Sequence, residues 1–284
     1  MRSKVCAAAL VGVLALAASG CSRADIDTWR RGGLPAPASD RATHVLSLWQ
    51  GAWIAALLVG CLVWGLIIWS VIAYRKRDDS IPPQTRYHLP IEILYSAVPF
   101  VIISVLFFFT VKNQNAILAQ EENGPATNEI SVVGQQWSWT FNYVDNPEIG
   151  ETVWETGTPQ RPPTLYLPVG ETVRFTLHSP DVIHSFFIPA FLFKLDVIPG
   201  KVNSFELTPT KEGEFAGKCA ELCGTYHSRM LFTVRVVSKQ EYLDHLEELQ
   251  RRGQTGEVLG GEYSRTQVGV ETGQPAEEPE GETP

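Results

Sequence analysis

Between residues 219 and 230 the chain reads Cys219-Ala-Glu221-Leu-Cys223-Gly-Thr-Tyr-His227-Ser-Arg-Met230. Two thiols, an imidazole and a thioether are soft or borderline donors, a set that suits copper and is ill matched to calcium or magnesium. Met230 is the only methionine besides Met1, and it closes a Cys-x3-His-x2-Met run. A mononuclear blue-copper site uses one Cys, two His and a weak axial Met. Here the run lacks the second His and has an extra Cys. Two thiolates can bridge two metal ions, and each ion then needs its own imidazole. His178 and His184 are the upstream candidates. His184 is preferred because it enters a strand in Asp-Val-Ile-His-Ser-Phe-Phe-Ile-Pro, beside bulky apolar residues that exclude water. A Cys-x3-Cys pair in an oxidising compartment can instead close a disulfide, and a His beside Phe can be a packed side chain. Taken together at this spacing, the residues point to metal.

The elements that must position these ligands are short. Runs rich in Val, Phe, Thr and Tyr, several alternating in period two, predict strands at Glu129–Val133, Trp137–Val144, Thr164–Val169, Thr172–His178, His184–Ile188, Val202–Leu207, Glu214–Lys218 and Leu231–Val237. Pro168-Val-Gly-Glu171 and Lys211-Glu-Gly213 supply tight turns. With no helical pattern between the strands, residues 129–238 form an all-β sandwich or Greek-key barrel. Four prolines and no periodicity make Asp145–Pro163 an exposed loop.

Upstream, no Asp, Glu, Lys or Arg occurs from Ala42 to Tyr74 or from Ile93 to Val111. Each run suffices for a membrane span of ~20 residues, and Pro99 is tolerable in such a helix. Arg75-Lys-Arg77 and Arg86 place the connecting loop on the cytoplasmic side, so residues 45–112 are a transmembrane helical hairpin with both ends outside. Residues 1–20 have a basic start, an apolar stretch and small residues, the pattern of a cleaved signal peptide. Ser19-Gly20-Cys21 suits a lipoprotein signal with Cys21 acylated as the first mature residue. Cleavage after Ala15-Leu-Ala17 would instead leave Cys21 a plain thiol. Residues 21–44 are then an external N-terminal segment. From Lys239 a helical stretch (Gln240–Arg251) leads into a Gly-, Glu- and Pro-rich end, expected to be disordered after about Gly253, so residues 239–284 are a helix followed by an acidic tail.

The 284 residues carry a net charge of −8, an acidic balance that argues against a nucleic-acid partner. Much of that charge sits in the tail. Five cysteines are too few for a disulfide-stapled scaffold.

The hairpin, the β domain and the motif Cys-x-Glu-x-Cys-x3-His-x2-Met with a His upstream resemble subunit II of bacterial haem-copper cytochrome c oxidases. That resemblance implies a cupredoxin-like domain in which Cys219 and Cys223 bridge the two copper ions of a binuclear CuA centre. It also implies that His184 and His227 bind one copper each, that Met230 is a weak axial ligand and that the Glu221 carbonyl is the other. In the family the Glu between the cysteines also reaches a magnesium or manganese ion shared with subunit I, and Glu221 matches. Trp137, in Gln136-Trp-Ser-Trp139, corresponds to the residue through which electrons arrive, whereas Trp139 reads as an inward-facing core residue. Glu92 matches the Glu at the mouth of a proton-uptake path, and can equally be a charge at a helix N-terminus. Asp196 matches a residue facing subunit I. The implied partners are subunits I and III, cytochrome c and the bacterial cell membrane, with the copper domain external. The implied function is electron relay from cytochrome c to haem a of subunit I, where oxygen is reduced to water with proton translocation.

Rival readings are separable. A quinol oxidase subunit II lacks the copper ligands. A nitrous-oxide reductase needs many histidines, and this chain has 6. A membrane-anchored copper carrier or oxidase assembly factor needs exposed thiols and no tight second His.

Overall fold

The computed structural model describes residues 22–79, 81, 83–120 and 128–260. It divides into two compact units, residues 1–36 with 44–115 and residues 37–43 with 116–284. The expected signal peptide (residues 1–20), Cys21 and the chain beyond Gly260 lie outside the described residues.

In the first unit a short helix, α1 (Arg23–Arg30), starts at a capping box. Ser22 Oγ accepts the Asp25 N–H at 3.2 Å and the Asp25 carboxylate accepts the Ser22 N–H at 2.9 Å, satisfying two N–H groups at the helix start. Then come α2 (Ala42–Ala73) and α3 (Leu89–Leu118), of 32 and 30 residues. At ~1.5 Å per residue each is longer than the ~30 Å hydrocarbon core. Large apolar side chains such as Leu58, Ile68, Phe100 and Ile103 are exposed. Helices apolar on all sides, with their side chains outward, match lipid as the surrounding solvent. The polar side chains inside α3 satisfy themselves one turn back: Ser96, Ser104 and Thr110 donate to the carbonyls of Glu92, Phe100 and Leu106 at 2.8, 2.8 and 2.9 Å.

The second unit is a sandwich of two five-stranded sheets. The strands are β1 (Asn128–Gln135), β2 (Ser138–Asn146), β3 (Glu151–Thr156), β4 (Thr164–Pro168), β5 (Val173–His178), β6 (His184–Ile188), β7 (Phe193–Val197), β8 (Asn203–Leu207), β9 (Gly213–Cys219) and β10 (Leu231–Val237). One sheet runs β3-β2-β1-β5-β8 and the other β4-β10-β9-β6-β7. β1 with β5 and β4 with β10 are parallel, and the remaining pairs are antiparallel. The chain leaves the first sheet after β5, forms β6 and β7 in the second, returns as β8 and crosses again for β9 and β10. This is the Greek-key, cupredoxin-like arrangement expected.

Alternation fills the interior. Val173, Phe175 and Leu177 of β5 are buried while their neighbours are half-buried. Phe186 sits at the centre, stacked on Phe232 at 5.0 Å and edge-on to Trp139 at 5.6 Å, with Phe175 and Phe205 stacked on each other at 4.8 Å. Burial of such rings is the main stabilising contribution of a sandwich this size. A final helix, α4 (Lys239–Arg251), capped by Ser238 Oγ on the Glu241 N–H at 3.3 Å, buries Tyr242, Leu246 and Leu249, a stripe at helical spacing.

Three expectations are revised. The proline-rich stretch 145–163 contains a strand, β3, because its prolines flank Glu151–Thr156 and leave those N–H groups free to pair with β2. β7 is a strand that the sequence reading passed over, although Phe193, Leu195 and Val197 alternate with Lys194 and Asp196. The chain after Gly253 is held as far as Gly260: the Trp154 N–H donates to the Gln254 carbonyl at 2.9 Å, and the Val258 N–H to Asn142 Oδ1 at 2.8 Å. Backbone pairing to the free edge of β3 substitutes there for a hydrophobic anchor.

Gly217 of β9 lies opposite Phe232 of β10, and a Cβ at Gly217 would fall inside that ring. Gly217→Ala should therefore cost about 1–3 kcal/mol by overpacking, read as a melting midpoint several degrees lower in the detergent-solubilised chain. An unchanged midpoint would show that Phe232 moves aside freely.

Candidate metal centre

The β9–β10 hairpin and the start of β6 bring the chemistry together. In the β6–β9 ladder Phe186 is opposite Cys219, and the Ala220 N–H donates to the Ser185 carbonyl at 3.0 Å. That register sets His184, the first residue of β6, beside the end of β9. The Cys219 N–H donates to the Met230 carbonyl at 3.0 Å, closing the neck of the loop 220–230. Within the loop a one-turn 3-10 helix, His227–Arg229, turns His227 back toward Cys223. Gly224 has φ +119, a conformation that suits glycine, and a Cβ there would stand 3.0 Å from the Trp137 ring.

The sulfur atoms of Cys219 and Cys223 are 3.8 Å apart, and both cysteines are free. A covalent bridge needs about 2.05 Å, so the disulfide alternative is not realised. His184 Nδ1 lies 3.9 Å from Cys219 Sγ, and His227 Nδ1 lies 3.6 Å from Cys223 Sγ. Met230 Sδ is 3.7 Å from Cys223 Sγ, and the Glu221 carbonyl oxygen is 3.2 Å from Cys219 Sγ. The donors thus form two matching halves: each thiol has one imidazole nitrogen and one weak donor. His184, Cys219 and Cys223 are buried, with donor atoms within 4.8 Å of one another. Met230 is fully buried, His227 half-buried and the Glu221 side chain exposed. His178, at the end of β5, is not in the cluster.

Asp181, which the sequence reading did not single out, holds this site from behind. Its Oδ1 lies 2.8 Å from His184 Nε2, and its Oδ2 accepts the Gln136 N–H at 2.7 Å. Burial would push the Asp181 carboxyl up, but the hydrogen bonds from His184 and the Gln136 and Val182 amides outweigh it and hold the group below its usual range. The ionised carboxylate is placed to accept the Nε2–H of His184, the tautomer whose Nδ1 lone pair faces the sulfurs, as in the carboxylate–histidine–metal arrangement. His184 is itself shifted upward: burial opposes its charge, and the Asp181 and Cys219 contacts overcome that. The available signal was the spacing Asp-Val-Ile-His, a carboxylate one short turn ahead of a ligand.

The contact between the two sulfurs drives their acidities apart. The Cys223 hydrogen bond drives Cys219 down to about 3, while Cys223 is pushed far up by its thiolate neighbour and by burial. Two thiolates in such a place require cations, and two imidazole nitrogens, a thioether and a carbonyl stand ready to complete the shell. The donor set fits copper.

Trp137 covers the loop. Only 8% exposed, it donates from Nε1 to the Cys223 carbonyl at 3.1 Å and packs edge-on against Tyr226 at 5.1 Å. Gln136 Nε2 donates to the same carbonyl at 2.7 Å. Trp139 is fully buried, its indole N–H reaching the Met230 carbonyl at 3.4 Å, as a core residue should. Asp196, on β7, is half-exposed and lies 3.6 Å from Lys194. Glu92 belongs to the other unit, in the first turn of α3, where its Oε1 accepts the His88 N–H at 2.9 Å.

The family model described as cytochrome c oxidase subunit II, periplasmic domain, matches residues 159–237. A probable cytochrome c oxidase subunit 2 of Streptomyces avermitilis is 46% identical, covering 92% of this chain and 91% of the relative. Cytochrome c oxidase subunit 2 of Mycobacterium tuberculosis is 36% identical, covering 85% of this chain and 80% of the relative. Among solved structures, the periplasmic domain of subunit II of the Bradyrhizobium japonicum cytochrome oxidase (CoxB) is 30% identical, covering 45% of this chain and 97% of that one at a TM-score of 0.42.

Asp181→Asn keeps the size of the side chain and removes its charge. Copper affinity of the full chain, measured against a competing chelator, should fall about 10–100-fold. Unchanged affinity would show that the His184 ring is fixed by packing alone.

Proposed function

This chain belongs to the cytochrome c oxidase subunit II family, and from that premise we propose that its buried ligand cluster holds two copper ions as a CuA centre relaying electrons from cytochrome c toward haem a of subunit I. The observation that carries this reading is the doubled donor set, in which each buried thiol has its own imidazole and its own weak donor. When bound, a thiolate-bridged copper pair supplies a one-electron acceptor and donor that needs little rearrangement on reduction.

The chain's own residues supply the rest. The copper pair would be held by the thiolates of Cys219 and Cys223, one nitrogen each from His184 and His227, the Met230 thioether and the Glu221 carbonyl. Asp181 keeps the proton of His184 on Nε2. Trp137 takes the electron through a ring that is almost wholly buried against the ligand loop, and its N–H bond to the Cys223 carbonyl is the short link toward the ligands. The sandwich buries Met230, Cys219 and Cys223, an enclosure suited to relaying electrons, and on this reading oxygen reduction and the coupled proton translocation belong to subunit I. Burial of both thiols supports relay over a copper carrier, which needs sulfurs exposed for exchange.

Several finer assignments accompany this reading. The exposed Glu221 side chain is free to reach a magnesium or manganese ion shared with subunit I. Asp196 faces subunit I, and subunit III completes the assembly. The basic loop supports a copper domain on the external face of the bacterial membrane, and Ser19-Gly20-Cys21 supports a lipid on Cys21 as the first mature residue. Glu92 caps α3 and also stands at the mouth of a proton path. Glu92→Gln retains an oxygen for the His88 N–H, so a loss of proton pumping with the subunit still inserted would assign the path, and unchanged pumping would leave only the cap.

Cys219→Ser in the assembled oxidase should abolish the dicopper spectrum and turnover with the hairpin still inserted. Trp137→Ala should leave the spectrum intact and slow reduction by cytochrome c at least about tenfold, a barrier increase of ~1.4 kcal/mol. An unchanged reduction rate in Trp137→Ala would remove that residue from the path.

A further inference from the structure

Outside the copper domain, the first unit contains a cavity of about 760 Å³ between α1 and the outer end of α2. Its walls are Trp29 of α1 and Trp53, Ile54 and Leu57 of α2, and its rim carries Asp25, Arg30 and Gln50. Among the described residues nothing covers these walls: Trp29 is 79%, Ile54 61% and Leu57 59% exposed. The cavity is nevertheless built. The Trp49 indole donates to the Gly32 carbonyl at 3.0 Å, and Gln50 Nε2 to the Arg30 carbonyl at 2.9 Å, tying the C-terminal end of α1 to α2. At Gly32, φ is +61 and a Cβ would stand 2.6 Å from the Trp49 nitrogen, so the turn admits no larger residue. An apolar floor with a polar rim, beside Trp49 and Trp53 at the membrane–water boundary, is the environment of a hydrocarbon chain whose attachment stays wet.

One such chain is covalently close. Consecutive Cα atoms are about 3.8 Å apart, so a group carried by Cys21 starts beside Ser22, the cap of α1, one turn from the rim residue Asp25. We propose that the groove between α1 and α2 is the seat of an acyl chain of the lipid attached to Cys21, so that the N-terminal anchor is held against the subunit's own first span rather than free in the bilayer. This rests on the acylation of Cys21 proposed above. In that step the Cys21 sulfur displaces the phosphoryl headgroup of a membrane phospholipid at a glyceryl carbon: the S–C bond forms, the C–O bond breaks and the thiol proton leaves with the phosphate. Seated there, the chain covers Trp29, Ile54 and Leu57 and docks α1, which buries no side chain of its own, along α2.

The test uses the full-length subunit expressed in cells fed a photoactivatable diazirine fatty acid, irradiated in membranes and digested for mass spectrometry. The expected result is an internal cross-link from the lipid-bearing Cys21 peptide to residues 53–57. Leu57→Trp, which fills the groove, should lower that cross-link at least fivefold while the lipid mass on Cys21 is unchanged. Cross-links spread along both spans, a cross-link from free lipid that persists in Cys21→Ser, or a groove covered by a neighbouring subunit with no cross-link at all would each overturn the seat. An intact mass without lipid on Cys21 would overturn the acylation with it, and so tells the two failures apart.

Discussion

Two sulfur atoms held 3.8 Å apart, each on a residue only 4% exposed, are the constraint around which the external domain is arranged. In water two thiolates at that distance would repel and take up protons. In a dry pocket the repulsion is stronger, and it pushes the Cys223 thiol well above its usual range. The site is therefore strained toward metal, and the protein's task is to prevent the sulfurs from separating, from oxidising to a bridge or from meeting water. The loop neck between Cys219 and Met230 and the β6–β9 register do this with backbone hydrogen bonds. The aromatic core beneath, centred on Phe186, gives those strands a rigid floor.

The same arrangement explains why the surrounding polar groups are where they are. The Asp181 carboxylate is buried at little net cost because its hydrogen-bond partners are donors: the His184 ring, the Ser179 hydroxyl and the amides of Gln136 and Val182. Through Gln136 it also joins the segment carrying Trp137 to the ligand His184. Gln136 and Trp137 both donate to the Cys223 carbonyl. The Trp137 ring and the loop 220–230 are in this way one hydrogen-bonded body, and the carboxylate that orients His184 belongs to it.

Much of this was legible in the sequence, for physical reasons that differ by element. The two spans were unambiguous because hydrocarbon tolerates only long apolar helices. The ligand run was legible because Cys, His and Met at that spacing have few other reasons to coincide, and the choice of His184 over His178 followed from its apolar neighbours. β3 was missed because proline density obscured the six residues between the prolines, and β7 because five residues give a weak alternation. The hold on residues 254–260 depends on backbone bonds to β3 and β2, which composition does not encode. Asp181 escaped because a carboxylate acting on a ligand has no spacing rule as distinctive as that of the ligands themselves.

The chain's mean hydropathy of −0.02 is the average of a unit built for lipid and a sandwich built for water. What joins the account together is the claim that paired thiols and paired imidazoles hold a metal pair rather than a single ion. Copper content and electron paramagnetic resonance of the purified full-length subunit address it most directly. The account predicts two coppers per chain and one unpaired electron shared equally between them; one copper per chain, or a signal confined to a single copper nucleus, would contradict it.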